Sequence, residues 1–194
     1  MGLREMKTKV IGVIGQNGSG KDEVLKYIRV KHSVPFLSTG DVVREIAAKE
    51  GLEPTRENLR DLSERYFREF GKGCFVRLLA DKIRQTGWKI AGITGIRSLD
   101  DVIVLKSVFD TDFILIHVYV SDPRVRYSRM TRRGEERDPH SYEEFLRQDK
   151  AEEELFRTKE AERYANYSIS NDGTLDDLYR EIDSLISDKG LLTV

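Results

Sequence analysis

Residues 15–22 read Gly15-Gln16-Asn17-Gly18-Ser19-Gly20-Lys21-Asp22. Glycines at this spacing let backbone N–H groups close around phosphate oxygens where a helix begins, and a lysine at the seventh position reaches the terminal phosphates. The expected chemistry is the binding of a triphosphate, with Gly15, Asn17, Gly18, Ser19, Gly20, Lys21 and Asp22 around its phosphates. The final position departs from the usual pattern. A serine or threonine there touches Mg²⁺, and a carboxylate stands at the end of a neighbouring strand. In this chain the loop offers Asp22, and the neighbouring strand end offers Thr94. Two readings stay open: hydroxyl and carboxylate have exchanged places and still serve one metal, or Asp22 only caps the helix and meets its dipole.

Further polar residues follow other apolar runs. Arg44 lies three residues after Asp41, so the two share one end and a similar face of a helix. Arg97 follows Thr94-Gly95 directly. Singly, either arginine is an ordinary exposed cation; together, at two strand ends, they suit the bidentate clamping of a phosphate on an acceptor molecule. Arg124, Arg126, Arg129, Arg132, Arg133 and Arg137 crowd one stretch between Asp122 and Asp138. A helix there, opened by Pro123 and stopped by Gly134, cannot turn all of them one way. His32, His117 and His140 show no metal-ligand spacing. Cys74 reads as packed rather than nucleophilic, and His117, within an apolar strand, as a core or sheet-face residue.

These residues need elements to hold them. An apolar run at 10–14 precedes the loop and an amphipathic stretch at 23–30 follows it, the strand, loop and helix context that such a loop requires. Residues 34–37 form a second strand feeding a helix with Val42, Val43, Ile46 and Ala47. Thr55 caps a third helix in which Leu59, Leu62, Tyr66 and Phe70 fall at helical spacing, stopped by Gly71 and Gly73. A further helix carries Phe75, Leu78, Leu79 and Ile83. Strands follow at 89–93, 113–120 and 167–170, with helices at 99–108 and 175–186. The charged stretch 141–162 is either a solvated helix pair or a closing lid. Strands and helices in alternation predict an α/β fold, a parallel five-stranded sheet flanked by helices, with ligands at the carboxyl ends of its strands.

At 194 residues and 39% apolar side chains the chain can bury one substantial core and reads as a single domain over 1–194 with a mobile appendage. A net charge of -1 gives no footprint for nucleic acid or an anionic membrane. No apolar run approaches the roughly 20 residues needed to span a bilayer. The Met1-Gly2 start resembles a myristoylation signal, but Met6 stands where serine or threonine is wanted. The single cysteine suits a reducing compartment, so a cytoplasmic protein is expected, with small molecules as partners. Charged residues are 35% of the chain with both signs interspersed, a composition that fits surface ion-pair networks.

The segments quoted above resemble the P-loop nucleotide kinase superfamily over nearly the whole chain. Residues Ser38-Thr39-Gly40-Asp41-Val42-Val43-Arg44 are similar to the segment by which adenylate kinase and related nucleoside monophosphate kinases hold the acceptor nucleotide. Thr94-Gly95-Ile96-Arg97 is similar to their Asp-Gly-x-x-Arg segment without its aspartate. The last third, from His117 through Arg129 and Arg133 to Asn171-Asp172-Gly173, looks more like dephospho-coenzyme A kinase.

The resemblance implies a three-layer P-loop kinase fold with an arginine-rich helix and a helical lid at about 134–165. An acceptor-binding helical region would lie at about 40–86. It implies an ATP- and Mg²⁺-dependent phosphotransferase acting on small nucleotides, as monomer or homodimer. Its catalytic residues would be Lys21, Asp41, Arg97, Arg129 and Arg133. Acceptor contacts would come from Thr39, Arg44 and Arg97, adenine-side contacts from Arg129, Asn171 and Gly173, and metal contacts from Asp22 and Thr94. The acceptor implied is a nucleoside or deoxynucleoside monophosphate; a dephospho-coenzyme A kinase and a nucleotide-binding regulator with little turnover are the alternatives.

Overall fold

The computed structural model describes residues 8–134 and 138–193. Arg137 of the arginine-rich stretch, and Met1, Gly2 and Met6 of the start, lie outside the described residues. Five parallel strands are present in the described residues: β1 (Lys9–Ile14), β2 (Phe36–Ser38), β3 (Ile90–Thr94), β4 (Phe113–Tyr119) and β5 (Tyr167–Ser170), in the order β2-β3-β1-β4-β5. The central strand β1 is buried along nearly its whole length, which is why it reads as an unbroken apolar run rather than an alternating one. Its side chains nevertheless alternate between two cores. Val10 and Ile14 pack with Phe113, Leu115, Ala91 and Ile93 on one face, and Ile11 and Val13 pack with Ile116, Val118 and Ile169 on the other.

Helices cover both faces. The first core takes α2 (Thr39–Lys49), α3 (Arg56–Phe70), α4 (Cys74–Thr86) and α5 (Leu99–Phe109); the second takes α1 (Lys21–His32) and α9 (Leu175–Lys189). Thr55 caps α3 as expected, its hydroxyl accepting from Asn58 N at 3.2 Å. Leu62 is buried in α3, but Phe70, at the same spacing, is 64% exposed with its ring against Tyr66, and it is Phe67 that faces the core from the last turn of α3. Leu78 of α4 also faces outward. Cys74 is buried and unpaired, and burial pushes its thiol up. The second strand starts two residues later than the apolar run suggests. Pro35 has no N–H to give the ladder, although its carbonyl still accepts from Gly92 N at 2.8 Å.

Beyond β4 the chain forms the arginine-rich α6 (Pro123–Arg133), then α7 (Tyr142–Phe156) and the short α8 (Thr158–Glu162). Asp122 caps α6 through Arg124 N at 2.8 Å, and Gly134 ends it in the left-handed region. His117 lies on the first-core face of β4 with its Nε2 3.4 Å from Glu162 of α8. Among the described residues no helix is long and apolar enough to cross a membrane.

Candidate active site

The register sets the site. Gly12 lies opposite Ile93 and Ser38 opposite Thr94, so the carboxyl ends of β1, β2 and β3 come level and their loops share one edge of the sheet. Helix α1 starts without a side-chain cap, at Gly20 with φ 86°, so its first backbone N–H groups stay available to an anion. The loop is packed from behind. A Cβ on Gly15 would stand 2.3 Å from Val118 O, and one on Gly20 would stand 2.3 Å from Asn171 Nδ2. Asn171 is itself buried and donates from Nδ2 to Ser19 O at 2.8 Å. Arg126 braces the other side, donating from Nη1 to Asn17 O at 3.1 Å. The loop is therefore preshaped by two side chains from the far end of the sequence.

Lys21 is half-buried at the head of α1. Burial pushes its pKa down, with Arg97 and Arg133 pushing the same way and Asp22 and Glu152 opposing them. A lysine so placed gains most from an anion in front of it. Beside it, Thr94 is buried and its hydroxyl donates to the Asp22 carboxylate. Position 22 and the end of β3 thus form one contact, as the exchange of carboxylate and hydroxyl requires. No group of three or more His, Cys, Asp or Glu side chains placed to hold a metal occurs among the described residues. The pair does fit Mg²⁺ as that ion is usually held, through one carboxylate and oxygen donors with the rest of its shell from phosphate and water.

In front of the loop is a narrow cleft. Its floor is Gly15, Gln16, Asn17 and Lys21; Arg97 lines it from the β3 side. Arg97 stacks over Phe156 at 5.7 Å, and its carbonyl accepts from Thr158 Oγ1 at 2.9 Å. Arg44 is not part of that lining: it is exposed and paired with Asp41 at 2.5 Å, so the two arginines do not converge in this conformation. Thr39 ties the ends of β2 and β3 together, its hydroxyl donating to Gly95 O at 3.1 Å.

The arginines of α6 diverge, as the helical spacing requires. Arg124 lies over the Tyr142 ring at 4.8 Å. Arg129 donates to Asn171 O at 2.8 Å and Gly173 O at 3.3 Å, closing the turn after β5. Arg133 pairs with the buried Asp138 at 2.5 Å and is near enough to Lys21 to lower its pKa. The turn after β5 is further fixed by Asp172, which accepts from Ser121 N at 2.7 Å and from the hydroxyls of Ser121 and Ser170 at 2.9 and 2.7 Å.

Two features were not legible in the sequence. Among the described arginines of its stretch, Arg126 is the one that enters the interior and touches the loop. Asp149, Glu152 and Glu153 of α7 line the cleft opposite Lys21. Their i, i+3, i+4 spacing puts them on one helix face, but the same spacing also describes a solvated face, and only the packing of α7 against α6 distinguishes the two.

Comparison with known proteins places this geometry. A family model described as an AAA domain matches residues 14–146. A UPF0200 protein of Thermococcus onnurineus is 36% identical over 179 residues, 91% of this chain and 96% of its own length. Among solved structures, a shikimate kinase from Bacteroides thetaiotaomicron superposes with a TM-score of 0.62 at 15% identity, covering 93% of this chain and 98% of that one. A gluconokinase from Sinorhizobium meliloti gives 0.56 at 14% identity over 99% and 100%. At such identities the likeness is one of fold, and the fold is that of the P-loop kinases. The chain belongs to the UPF0200 family and carries its AAA-type domain on a P-loop kinase fold.

Proposed function

We propose that this protein is an ATP-dependent phosphotransferase of the nucleotide kinase type, whose acceptor is a nucleoside or deoxynucleoside monophosphate. The observation that carries the reading is the pairing of a capless helix start with a half-buried Lys21 and with Arg97 across one cleft. In transfer, the bond between the acceptor oxygen and the γ-phosphorus forms as the bond from that phosphorus to the β,γ-bridging oxygen breaks. Lys21 and the loop N–H groups balance the charge that accumulates on the phosphoryl oxygens, and Arg97 meets the group from the acceptor side. Asp22 and Thr94 are the residues that would hold Mg²⁺, which when bound neutralises phosphate charge. Arg129 and Asn171 support the loop and the turn beside it, so their contribution to the adenine side is through position.

A second reading is favoured by the place of Asp41, in the first turn of α2 at the end of β2. A hydroxyl acceptor must lose a proton, and Asp41 is the base for it, as in a dephospho-coenzyme A kinase; a monophosphate attacks through an ionised oxygen and needs none. The test is ATP consumption against a panel of nucleoside and deoxynucleoside monophosphates, dephospho-coenzyme A and shikimate. Turnover with a monophosphate supports the first reading and turnover with a hydroxyl acceptor the second. ATP binding with no turnover on any acceptor supports a regulator instead.

A further inference from the structure

Arg126 is 2% exposed, yet it stands at the outer wall of the phosphate loop. Its two terminal nitrogens donate in parallel to the two oxygens of Asp149, each at 2.7 Å, and its Nε is buried with no hydrogen-bond partner. This fork fits a phosphate as well as a carboxylate. Asp149 itself lines the cleft in front of Lys21, and Glu152 and Glu153 extend the same acidic face over it. A triphosphate chain, with about four negative charges, would meet these carboxylates at close range, where like charges repel strongly.

Helix α7 is anchored at its start, where Phe145 is buried against Tyr127 and the Arg126 guanidinium and Tyr142 lies under Arg124. Its second half, from Asp149 on, has no fully buried side chain and is tied by the Asp149 pair, by Lys72 Nζ donating to Leu155 O at 2.7 Å and by Phe156 under Arg97. Arg157, between α7 and α8, has φ 52°, a left-handed turn at a non-glycine residue and a natural place for the chain to pivot.

We propose that Asp149 is a built-in competitor for the donor phosphates: it occupies Arg126 in the free protein, and binding of a phosphate chain at the loop displaces it and releases the second half of α7, residues 149–156. The inference rests on the donor site proposed above. It makes this half of α7 an inhibitory cover that opens on donor binding, rather than a lid that closes on it.

The test is hydrogen–deuterium exchange of the wild-type protein with and without inorganic tripolyphosphate, read at the loop (15–22) and at the second half of α7 (149–156). The expected result is slower exchange at the loop together with faster exchange in that half of α7. Slower exchange in both overturns the proposal and leaves the donor site standing. No change at the loop overturns both. Alongside, Asp149→Asn should bind tripolyphosphate at least about fivefold more tightly than wild type. Equal or weaker binding by a folded Asp149→Asn protein contradicts the competition.

Discussion

Thr94 and Asp22, far apart in the chain, meet side chain to side chain at the mouth of the phosphate loop, the threonine hydroxyl donating to the carboxylate. A loop that lacks its usual hydroxyl and a strand end that lacks its usual carboxylate have thus become neighbours, and each holds what the other lacks. If the pair serves one metal, Asp22→Ser leaves two hydroxyls and Mg²⁺-dependent turnover falls steeply. Adding Thr94→Asp restores one group of each kind and recovers part of the loss. Titration of activity with Mg²⁺ in the wild type, both single variants and the double variant checks this; strictly additive losses mean that the positions do not share a metal.

Arg97 and Arg44 are expected to differ. Arg97 lines the cleft, whereas Arg44 is exposed and neutralised by Asp41. Arg97→Ala should raise the acceptor KM or lower kcat/KM by about 2 to 5 kcal/mol with ATP affinity little changed. Arg44→Ala should cost less. Steady-state kinetics in both substrates decides this, and a weakening of ATP binding alone would assign Arg97 to the donor.

Gly20 has no room for a side chain. Gly20→Ala forces a left-handed φ of 86° on a residue with a Cβ and drives that carbon into Asn171 Nδ2. A loss of stability of about 1 to 3 kcal/mol is expected, with weaker triphosphate binding. Asn171→Ala removes the obstacle as well as the bond to Ser19, so the double variant should lose less than the sum of the two single losses. Denaturant melts of the three variants measure it.

Acid should loosen the turn after β5. Hydrogen bonds from Ser170 and Ser121 hold the Asp172 carboxyl below its ordinary value of 3.8. A carboxylate depressed in the folded state contributes stability above its unfolded pKa, and that contribution is lost as pH falls through the folded one. The wild type should therefore lose melting temperature below about pH 4, and Asp172→Asn, already lower at neutral pH, should show a smaller fall. Parallel acid-limb slopes in the two proteins would count against the link.

The strand, loop and helix around Lys21 were legible in the sequence because their pattern is local: an apolar run, a glycine spacing and an amphipathic helix in immediate succession. The Thr94–Asp22 contact was legible one step further on, since a parallel α/β sheet gathers its strand ends. The roles of Arg126 and Asp149 were not. Six arginines in one stretch carry the same local signal, and the inward turn of Arg126 is decided by Phe145 beneath it, 5.0 Å from its guanidinium, and by Asp149 beyond. The tie from Asn171 Nδ2 to Ser19 O was not legible either, being a bond between segments 152 positions apart that spacing alone does not reveal.

The central claim is that the loop around Lys21 drives phosphoryl transfer rather than merely holding a nucleotide. It is tested most directly by single-turnover transfer from ATP to the preferred acceptor in wild type and Lys21→Ala, with circular dichroism confirming the fold of both. The account predicts a loss of at least about a hundredfold in the transfer rate, as removal of charge stabilisation in the transition state implies. An unchanged rate in a folded Lys21→Ala protein would contradict it.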